Sequence, residues 1–342
     1  MRYSIVNKTV LGCSKPFFEF GGERVKVIVS GLVNIETTLK IREFPIPYYP
    51  IDYPFFGIHS AVAGVAYNLT KALKSLGDST VLFSYLGNDA EGERILERLK
   101  RDGISVDTIW TELKETPSSV VLYDEEGKRQ IYCDLKDIQE KQLEVKGSGL
   151  RNQIRDCDLV AACNINFNRP LLKTAKEMGK LVATDVHVLS DIEDLFNGEF
   201  MEYADILFLS DEQLPCEPEV FIRQLGKRYG TQIIVIGMGS RGAMLYEKGN
   251  DKICCMEAVK CDKVVNTVGA GDALFSSFLH YYLKGCSPVE ALMRAELFAS
   301  IKIGYNGAAH GFCDEKTIEK EFAKRKPNVL FENNLQFLRS CK

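Results

Sequence analysis

Residues 266–283 read NTVGAGDALFSSFLHYYL, and this stretch decides how the rest of the chain is interpreted. Three small residues, Gly269, Ala270 and Gly271, come directly before a segment that predicts a long amphipathic helix. Small residues let a ligand approach the backbone, and the free N–H groups of a helix N-terminus attract anions. Asp272 follows at once. Its carboxylate could cap the helix, or it could take a proton from a substrate hydroxyl group beside a bound phosphoryl group, and the residues alone leave both interpretations open.

Short β-rich runs alternate with helical segments on both sides of this stretch. The patterns predict strands at 25–30, 80–86, 158–163, 181–185, 204–209 and 232–237, and helices at 61–76, 90–102, 169–178, 218–229, 273–283 and 288–305. Repeated βα units are typical of a parallel sheet covered by helices on both faces. Such sheets bind ligands at the carboxyl ends of their strands, near the point where the strand order reverses.

Two segments interrupt this alternation. Residues 40–57 contain four prolines and six aromatic residues, which excludes a regular helix and predicts an irregular arm. Residues 119–123 and 129–133 are β-rich runs around DEEGK, which predicts a hairpin. Together they suggest a second, small β layer. The aromatic side chains of the arm would either stack on a ligand or pack the lid or a lid–lid dimer interface, and we prefer packing: Tyr48, Tyr49, Tyr53, Phe55 and Phe56.

Composition excludes several classes of protein. The chain has 342 residues and a formal net charge of −4 without a basic block, so we expect no nucleic-acid partner. No apolar run approaches the roughly 20 residues of a membrane helix, so we expect no membrane partner. The eleven cysteines form no CxxC pair, which favours reduced thiols in a cytoplasmic protein. The sequence G-x-x-x-x-G-K-[ST] is absent, which disfavours a P-loop kinase.

The run 266–272 resembles the signature D-T-x-G-A-G-D of the ribokinase-like carbohydrate kinases, the phosphofructokinase-B type family. Further segments resemble the other motifs of that family and occur in the same order: 31–36 (GLVNIE), 63–68 (AGVAYN), 86–92 (LGNDAEG), 204–213 (ADILFLSDEQ) and 239–243 (GSRGA). The resemblance therefore extends over residues 25–325, and the segments before and after it are expected to be an N-terminal extension (1–24) and a C-terminal tail (326–342).

The resemblance implies an α/β fold: a three-layer αβα sandwich of the ribokinase-like kind, with a mainly parallel central sheet and a small β lid built from residues 37–58 and 116–135. It implies an ATP-dependent kinase that uses Mg²⁺ and phosphorylates a hydroxyl group of a small sugar. A nucleoside kinase of the same family is the first alternative, and a non-catalytic relative that binds a sugar or nucleotide is the second. A homodimer through the lid is left open.

The resemblance also assigns residues. Asp272 is expected to be the general base, and Gly269, Ala270 and Gly271 to form the anion hole. The acceptor hydroxyl groups are expected to bind Asn34, Glu36, Gly64 and Asn68, with Asn164 as a weaker candidate. The nucleotide is expected near Gly239, Gly242, Thr267 and Asn306. Gln213 and Glu212 are expected near the metal. His59 and His187 fall nearest the site among the histidines, and we expect structural or solvent-exposed roles for both.

Three of the departures from the family pattern bear on cofactors and on the acceptor. Asn266 replaces an aspartate that shapes a monovalent-cation loop in some members, so we do not expect strong activation by potassium. Gln213 replaces a glutamate that organises magnesium-bound water, although Asp211 or Glu212 could substitute for it. Glu36 replaces an aspartate and reaches about one methylene further, which suggests a smaller or differently bound acceptor. The first two departures are the evidence for the non-catalytic alternative.

Overall fold

The computed structural model describes residues 24–126, 128–145, 147–261 and 263–331. The expected N-terminal extension, apart from Arg24, lies outside these ranges, and so does the chain after residue 331.

The strands of the described ranges, in chain order, are β1 (Lys26–Ser30), β2 (Asn34–Lys40), β3 (Ile58–Ala63), β4 (Ser79–Gly87), β5 (Ile109–Leu113), β6 (Ser118–Tyr123), β7 (Arg129–Asp134), β8 (Leu159–Ala162), β9 (Leu181–Asp185), β10 (Ile206–Ser210), β11 (Ile233–Gly237), β12 (Ala243–Glu247), β13 (Lys252–Met256) and β14 (Val329–Phe331). The α-helices are α1 (Val65–Leu76), α2 (Ala90–Arg101), α3 (Ser148–Arg155), α4 (Arg169–Glu177), α5 (Gly198–Tyr203), α6 (Pro218–Tyr229), α7 (Ala270–Leu283), α8 (Pro288–Lys302) and α9 (Glu315–Lys324).

Ten of these strands form the central sheet, in the order β14-β13-β12-β11-β10-β9-β8-β1-β4-β5. The neighbours from β5 to β11 pair in parallel, as the βα alternation predicts. Strands β12, β13 and β14 add an antiparallel edge that the sequence did not predict. The last of them lies in the segment assigned to a C-terminal tail, so the sheet continues into that segment.

Helices cover both faces of the central sheet and produce three layers. Along β1, Val27 and Val29 point into the core that holds α1, α2, α7, α8 and α9. Ile28, between them, points into the opposite core with α3, α4, α5 and α6. This alternation is the period of two of a strand buried on both faces. The predicted three-layer αβα architecture is confirmed. Within the described ranges, no helix combines the length and apolarity needed to cross a bilayer.

The small sheet contains the other strands, in the order β3-β2-β6-β7. Strands β6 and β7 form the predicted antiparallel hairpin. Strand β2 pairs in parallel with β6 and antiparallel with β3. Residues 41–57 form the predicted irregular arm between β2 and β3. The segment between Gly87 and the lid is fixed by Asp89, whose carboxylate accepts hydrogen bonds from the Thr116 N–H at 2.7 Å and hydroxyl at 2.6 Å.

Two predicted helix boundaries are wrong. The helix predicted at 61–76 begins at Val65, because residues 58–63 pair with β2 as strand β3 and Gly64 caps the helix. The helix predicted at 288–305 ends at Lys302, and the chain then turns through Gly304 to meet the loop before α7.

The prediction that the helix after Gly271 is amphipathic is also wrong. Helix α7 is buried from Ala273 to Tyr281. Phe275 and Phe278 pack their rings against Phe208 of β10, with centroids 4.8 and 5.2 Å apart. Two of its buried polar side chains bond inside the protein: Ser276 Oγ donates to the Asp272 carbonyl at 2.6 Å, and His280 Nδ1 lies 2.9 Å from the buried Asp78 carboxylate. A helix that is packed all round is held in one axial position, which fixes the place of its N-terminus.

We predict that Glu296 of α8 makes the stability of the fold fall with pH. Its side chain is only 7% exposed and forms no ion pair with another described residue. Burial raises its pKa from 4.5 to about 8. Between these values the folded chain holds a proton that the unfolded chain has released, so stability is lost as pH rises. Urea unfolding measures the free energy of unfolding of wild type and of Glu296→Gln. The difference between the two should grow in favour of the variant by up to about 1.4 kcal/mol per pH unit from pH 5 to 8.

Glu97→Gln on α2 is the matched control, because that side chain is 69% exposed. Its stability should follow wild type at every pH. Parallel stability curves for wild type and Glu296→Gln would contradict the prediction.

Candidate active site

The candidate site lies where the strand order of the central sheet reverses. From β1 the chain proceeds to β4 and β5 on one side and later to β8, β9, β10 and β11 on the other. Open α/β sheets bind ligands in the crevice beyond the carboxyl ends of the strands at such a point. Cys163 follows β8 there, and the pKa of its buried thiol is raised by burial and by the charges of Asp272 and Asp185. The N-terminus of α7 therefore lies over this crevice.

The backbone at the start of α7 requires glycine at one position. Gly269, the N-cap, has φ 80°, and a Cβ there would lie 2.5 Å from the Ala308 carbonyl oxygen. Gly271, two residues later, is exposed, and a Cβ there would meet no atom within 4 Å. The helix begins without a side-chain cap at its N-cap residue. The Ala270 N–H donates to the Thr267 carbonyl at 3.1 Å, whereas no bond within the described residues occupies the Gly271 N–H, which is thus available to an anion from the open side.

Asp272 forms a hydrogen bond with Asn68 of α1: Asn68 Nδ2 donates to Asp272 Oδ2 at 2.7 Å. No backbone N–H of the described chain donates to this carboxylate, so the capping interpretation has no hydrogen bond to support it. Gly64 starts α1 with φ 104°, in contact with the Leu32 carbonyl, and so places Asn68 one turn later over the same crevice. The two helix starts meet at the carboxylate.

The pKa of Asp272 is raised by burial. The hydrogen bond from Asn68 and the positive charges of His187 and Lys302 lower it, and Asp185 raises it. Burial, together with the Asp272 charge, also raises the pKa of Glu36, while Lys302 and Arg129 oppose that shift. Two carboxylates with raised pKa values therefore lie in one crevice, and each accepts a proton more readily than an exposed carboxylate.

The lid contributes Asn34 and Glu36 from β2. Asn34 is 3% exposed and donates to Ser119 Oγ at 3.0 Å. Its Oδ1, like the Oδ1 of Asn68, is buried and has no hydrogen-bond partner among the described residues. Buried polar atoms are almost always paired in native proteins. Two acceptor oxygens beside a carboxylate are therefore suited to the hydroxyl groups of a ligand.

The loop before α7 is tied to the end of α8. The Val268 N–H donates to Asn266 Oδ1 at 2.8 Å, and Asn266 Nδ2 donates to Asn306 Oδ1 at 3.0 Å. Lys302 Nζ donates to the Val268 carbonyl. Thr267, in the same loop, is exposed. The structure thus brings Thr267 and Asn306 to the loop before α7, and the effect of Asn266 on potassium activation stays a prediction.

Sequence reasoning missed Lys302, which is fully buried. A signal was present: on α8 it continues the buried stripe of Ala291, Ala295 and Phe298, at spacings of three and four residues. A lysine in an apolar stripe is rarely without a partner, because burying an ammonium group is costly.

A second group of predicted residues lies at the ends of β10 and β11. Gly239 and Gly242 form the turn between β11 and β12. Arg241 in this turn pairs with Asp211, which joins the turn to the segment that contains Glu212 and Gln213. Both of these side chains are exposed. The described residues contain no cluster of three or more His, Cys, Asp or Glu side chains that could hold a metal ion.

The remaining candidates, Asn164, His187 and His59, form no hydrogen bond with Asp272 among the described contacts. Asn164 follows β8 but donates to Asn197 Oδ1 at 3.0 Å, and none of its recorded bonds leads to Asp272. His187 has φ 61° and lies 3.7 Å from the Asp185 carboxylate, beside the crevice. His59 lies on β3, where its carbonyl is 3.5 Å from the Thr38 hydroxyl. The assignment of Asn164 to the acceptor stays a prediction.

Comparison with known proteins gives a consistent result. The model of the pfkB family carbohydrate kinases matches residues 26–315. A ribokinase of Dictyostelium discoideum is 26% identical over 275 residues, which cover 71% of this chain and 84% of that protein. A nucleoside kinase of Methanocaldococcus jannaschii is 24% identical over 270 residues, which cover 78% of this chain and 86% of that protein. The solved structure of a microbiome-derived acarbose kinase superposes with a TM-score of 0.78 at 24% identity, covering 88% and 99%, and shares the fold.

We predict opposite effects for alanine at two neighbouring glycines of this site. Gly269→Ala should destabilise the protein by about 1–3 kcal/mol, because the new Cβ meets the Ala308 carbonyl at a positive φ. Gly271→Ala lies in the first turn of α7 with open space around it, and should leave stability unchanged or raise it by up to about 1 kcal/mol. Thermal and urea unfolding of both variants measure the difference. Equal destabilisation of the two would show that the described backbone at Gly269 is wrong.

Proposed function

The chain belongs to the pfkB family of carbohydrate kinases, and from that membership we propose that it transfers the γ-phosphoryl group of ATP to a hydroxyl group of a small sugar. The observation that carries the proposal is the hydrogen bond between Asp272 and Asn68 at the N-terminus of α7. The Oδ1 atoms of Asn68 and Asn34 are buried and have no hydrogen-bond partner among the described residues. A base, an anion-binding helix start and hydroxyl acceptors are the groups that this reaction needs.

Asp272 acts as general base in this proposal. Its carboxylate accepts the proton of the sugar hydroxyl, the hydroxyl oxygen bonds to the γ-phosphorus, and the bond to the β–γ bridging oxygen breaks, so that ADP leaves. The raised pKa of Asp272 makes it a better proton acceptor than an exposed carboxylate. The Gly271 N–H at the start of α7 stabilises the charge on the transferred group, while the Ala270 N–H is held by the Thr267 carbonyl.

Recognition of the acceptor falls to both halves of the site. Asn34 Oδ1 on the lid and Asn68 Oδ1 on α1 each accept a hydrogen bond from a sugar hydroxyl group. Glu36, next but one to Asn34 on the same face of β2, adds a carboxylate. Amide and carboxylate groups suit polyols, because each hydroxyl group both donates and accepts.

The lid has a physical purpose in this reaction. A four-stranded sheet over the crevice excludes water, which would otherwise compete with the sugar for the phosphoryl group. The Asp89–Thr116 hydrogen bonds fix the place where the chain enters strands β6 and β7.

The nucleotide side is less complete in its ligands. In this proposal the nucleotide binds near four residues: Gly239, Gly242, Thr267 and Asn306. Its metal ion lies near Glu212 and Gln213. Magnesium would neutralise the phosphate oxygens of the nucleotide and usually binds through one or two carboxylates in addition to those oxygens. Because the described residues do not form a metal cage of their own, Mg²⁺ would enter with the nucleotide.

We predict that Asp272→Asn lowers the kcat of sugar phosphorylation by about 100- to 10,000-fold, the usual contribution of a general base. The KM for ATP should change little, because the anion hole is kept. A coupled ADP assay over a panel of sugars and nucleosides identifies the acceptor and measures the effect. Asp107→Asn, an exposed aspartate bonded to Ser105, is the control and should keep full activity.

The panel also separates the alternatives. Turnover only with nucleosides would make the protein a nucleoside kinase of the same family. Binding of a sugar without ADP formation, in wild type and Asp272→Asn alike, would reject the kinase mechanism in favour of a non-catalytic relative.

We propose in addition that two copies of the chain associate through their lids. The arm between β2 and β3 exposes large apolar side chains: Ile46, Tyr48, Tyr49, Ile51, Tyr53, Phe55 and Phe56. Phe56 is 95% exposed, so the arm does not pack its aromatic residues within the lid of one copy. Contiguous apolar surface of this kind marks interaction sites, and a second copy offers the same surface for a symmetric contact.

Light scattering after size exclusion tests this association. Wild type should have about twice the chain mass of 38.4 kDa, and Phe55→Asp/Phe56→Asp should have the monomer mass. Leu195→Asp is the control, because Leu195 is 98% exposed and lies away from the lid. A monomeric wild type, or a dimer that survives the double substitution, would contradict lid-mediated association.

A further inference from the structure

Lys302 is a buried lysine that neither the sequence motifs nor the proposed base mechanism uses. It ends α8, has no exposed surface, and donates its Nζ to the Val268 carbonyl. A lysine in this position needs a reason, because the ammonium group loses its hydration on burial.

Its backbone partner points to the anion hole. Val268 comes directly before Gly269, the N-cap of α7. The N–H of Val268 is held by Asn266, and Val265 and Asn266 both donate to the Ile303 carbonyl next to Lys302. The carbonyl of Val268 is held by Lys302 itself. The loop that positions the first N–H groups of α7 is therefore clamped from the end of α8.

Its charge points to the same place. The negative charges of Asp272 and Glu36 favour the ammonium form of Lys302, against the effects of burial and of Arg129 on the lid. In return, Lys302 lowers the pKa of both carboxylates. Burial dominates and lowers the pKa of Lys302 itself to about 8, so the ammonium form is retained at neutral pH and lost above it.

We propose that Lys302 is a positioning residue for phosphoryl transfer: it holds the Val268 carbonyl, and with it the anion-hole loop, and its ammonium group keeps the Asp272 carboxylate ionised. This inference rests on the proposed kinase function. Lys302 acts through Val268 and Asp272 and touches neither sugar nor nucleotide.

The charged and titratable groups around the pair are few and can be named. They are Glu36 of β2 and Arg129 of β7 from the lid, Asp185 at the end of β9 with His187 after it, Cys163 after β8, and His310 between α8 and α9, with the neutral Asn68 of α1 bonded to the base. Lys302 itself is held in place by a hydrogen bond to the carbonyl of Val268 in the anion-hole loop. Removal of its charge should therefore alter both the rate and its pH dependence.

The first experiment compares pH profiles of kcat/KM for wild type, Lys302→Met and Lys302→Arg with the sugar found in the panel. Lys302→Met should lower kcat by about 100-fold, because a misplacement of the anion-hole loop by about 1 Å costs that much even when the substituted residue lies away from the reacting atoms, with less effect on the KM for the sugar. Without the ammonium group the acidic limb, which reports ionisation of Asp272, should move up by about one pH unit. The decline of the wild type near pH 8 should disappear in Lys302→Met.

Lys302→Arg keeps the charge and should keep the acidic limb of wild type, even where its larger side chain lowers kcat. Lys71→Met is the matched control, since Lys71 of α1 is a half-buried lysine whose Nζ lies 3.5 Å from the Asp102 carboxylate. It should leave the profile unchanged. An acidic limb that stays in place in Lys302→Met, or moves equally in Lys71→Met, would overturn the proposal, because loss of packing alone does not move that limb.

The second experiment needs no acceptor, so it separates failure of this inference from failure of the proposed function. With lysines labelled at ¹³Cε, wild type should show a resonance that titrates near pH 8 and is missing in Lys302→Met. Its midpoint should fall in Asp272→Asn, because a neighbouring negative charge is lost. If no lysine titrates far below its ordinary range of about 10.4, or if Asp272→Asn leaves the midpoint in place, Lys302 is not linked to the base.

Discussion

The N-terminus of α7 is fixed inside the protein, and the candidate site depends on this constraint. Phe275 and Phe278 pack on Phe208, and His280 bonds to the buried Asp78, so the helix cannot slide along its axis. Its first N–H groups therefore stay at the carboxyl edge of the sheet, where an anion can satisfy them. Gly269 is needed there because any Cβ would strike the Ala308 carbonyl. Asp272 lies in the first turn of the same helix, so its position is fixed in the same way.

Burial and charge oppose each other in this crevice. Desolvation raises the pKa of Asp272 and Glu36 and lowers that of Lys302, while attraction between the opposite charges acts in the other direction. Asn68 contributes a hydrogen bond that favours the ionised base. A carboxylate whose pKa is raised by burial, while a hydrogen bond and a positive charge favour its ionised form, can accept a proton during the reaction and release it afterwards. The neighbours of Asp272 thus matter as much as the residue itself.

The sequence predicted the parts of the fold that depend on regular patterns. Strand 181–185 and helix 218–229 have the predicted bounds, because apolar runs, Pro218 and Gly230 mark them clearly. The second half of strand β3, residues 61–63, was assigned to a helix, since IHSAVA carries no strong alternation and gains its pairing only from β2. The antiparallel edge β12–β14 was missed because strand direction is set by tertiary pairing. The motifs indicated Asp272 and Asn68, whereas Lys302 and the Asp185–His187 pair come together only in three dimensions. The identity of the sugar depends on side-chain contacts across the lid, which no motif describes.

The central claim is that Asp272 receives the proton of the acceptor hydroxyl group while the start of α7 holds the phosphoryl group. A crystal structure with a non-hydrolysable ATP analogue and the sugar found in the panel tests it most directly. The account predicts a sugar hydroxyl oxygen within hydrogen-bond distance of the Asp272 carboxylate, in line with a γ-phosphoryl group that contacts the Gly271 N–H at the start of α7. A sugar that binds with no hydroxyl group near Asp272, or a γ-phosphoryl group away from the α7 N-terminus, would contradict it.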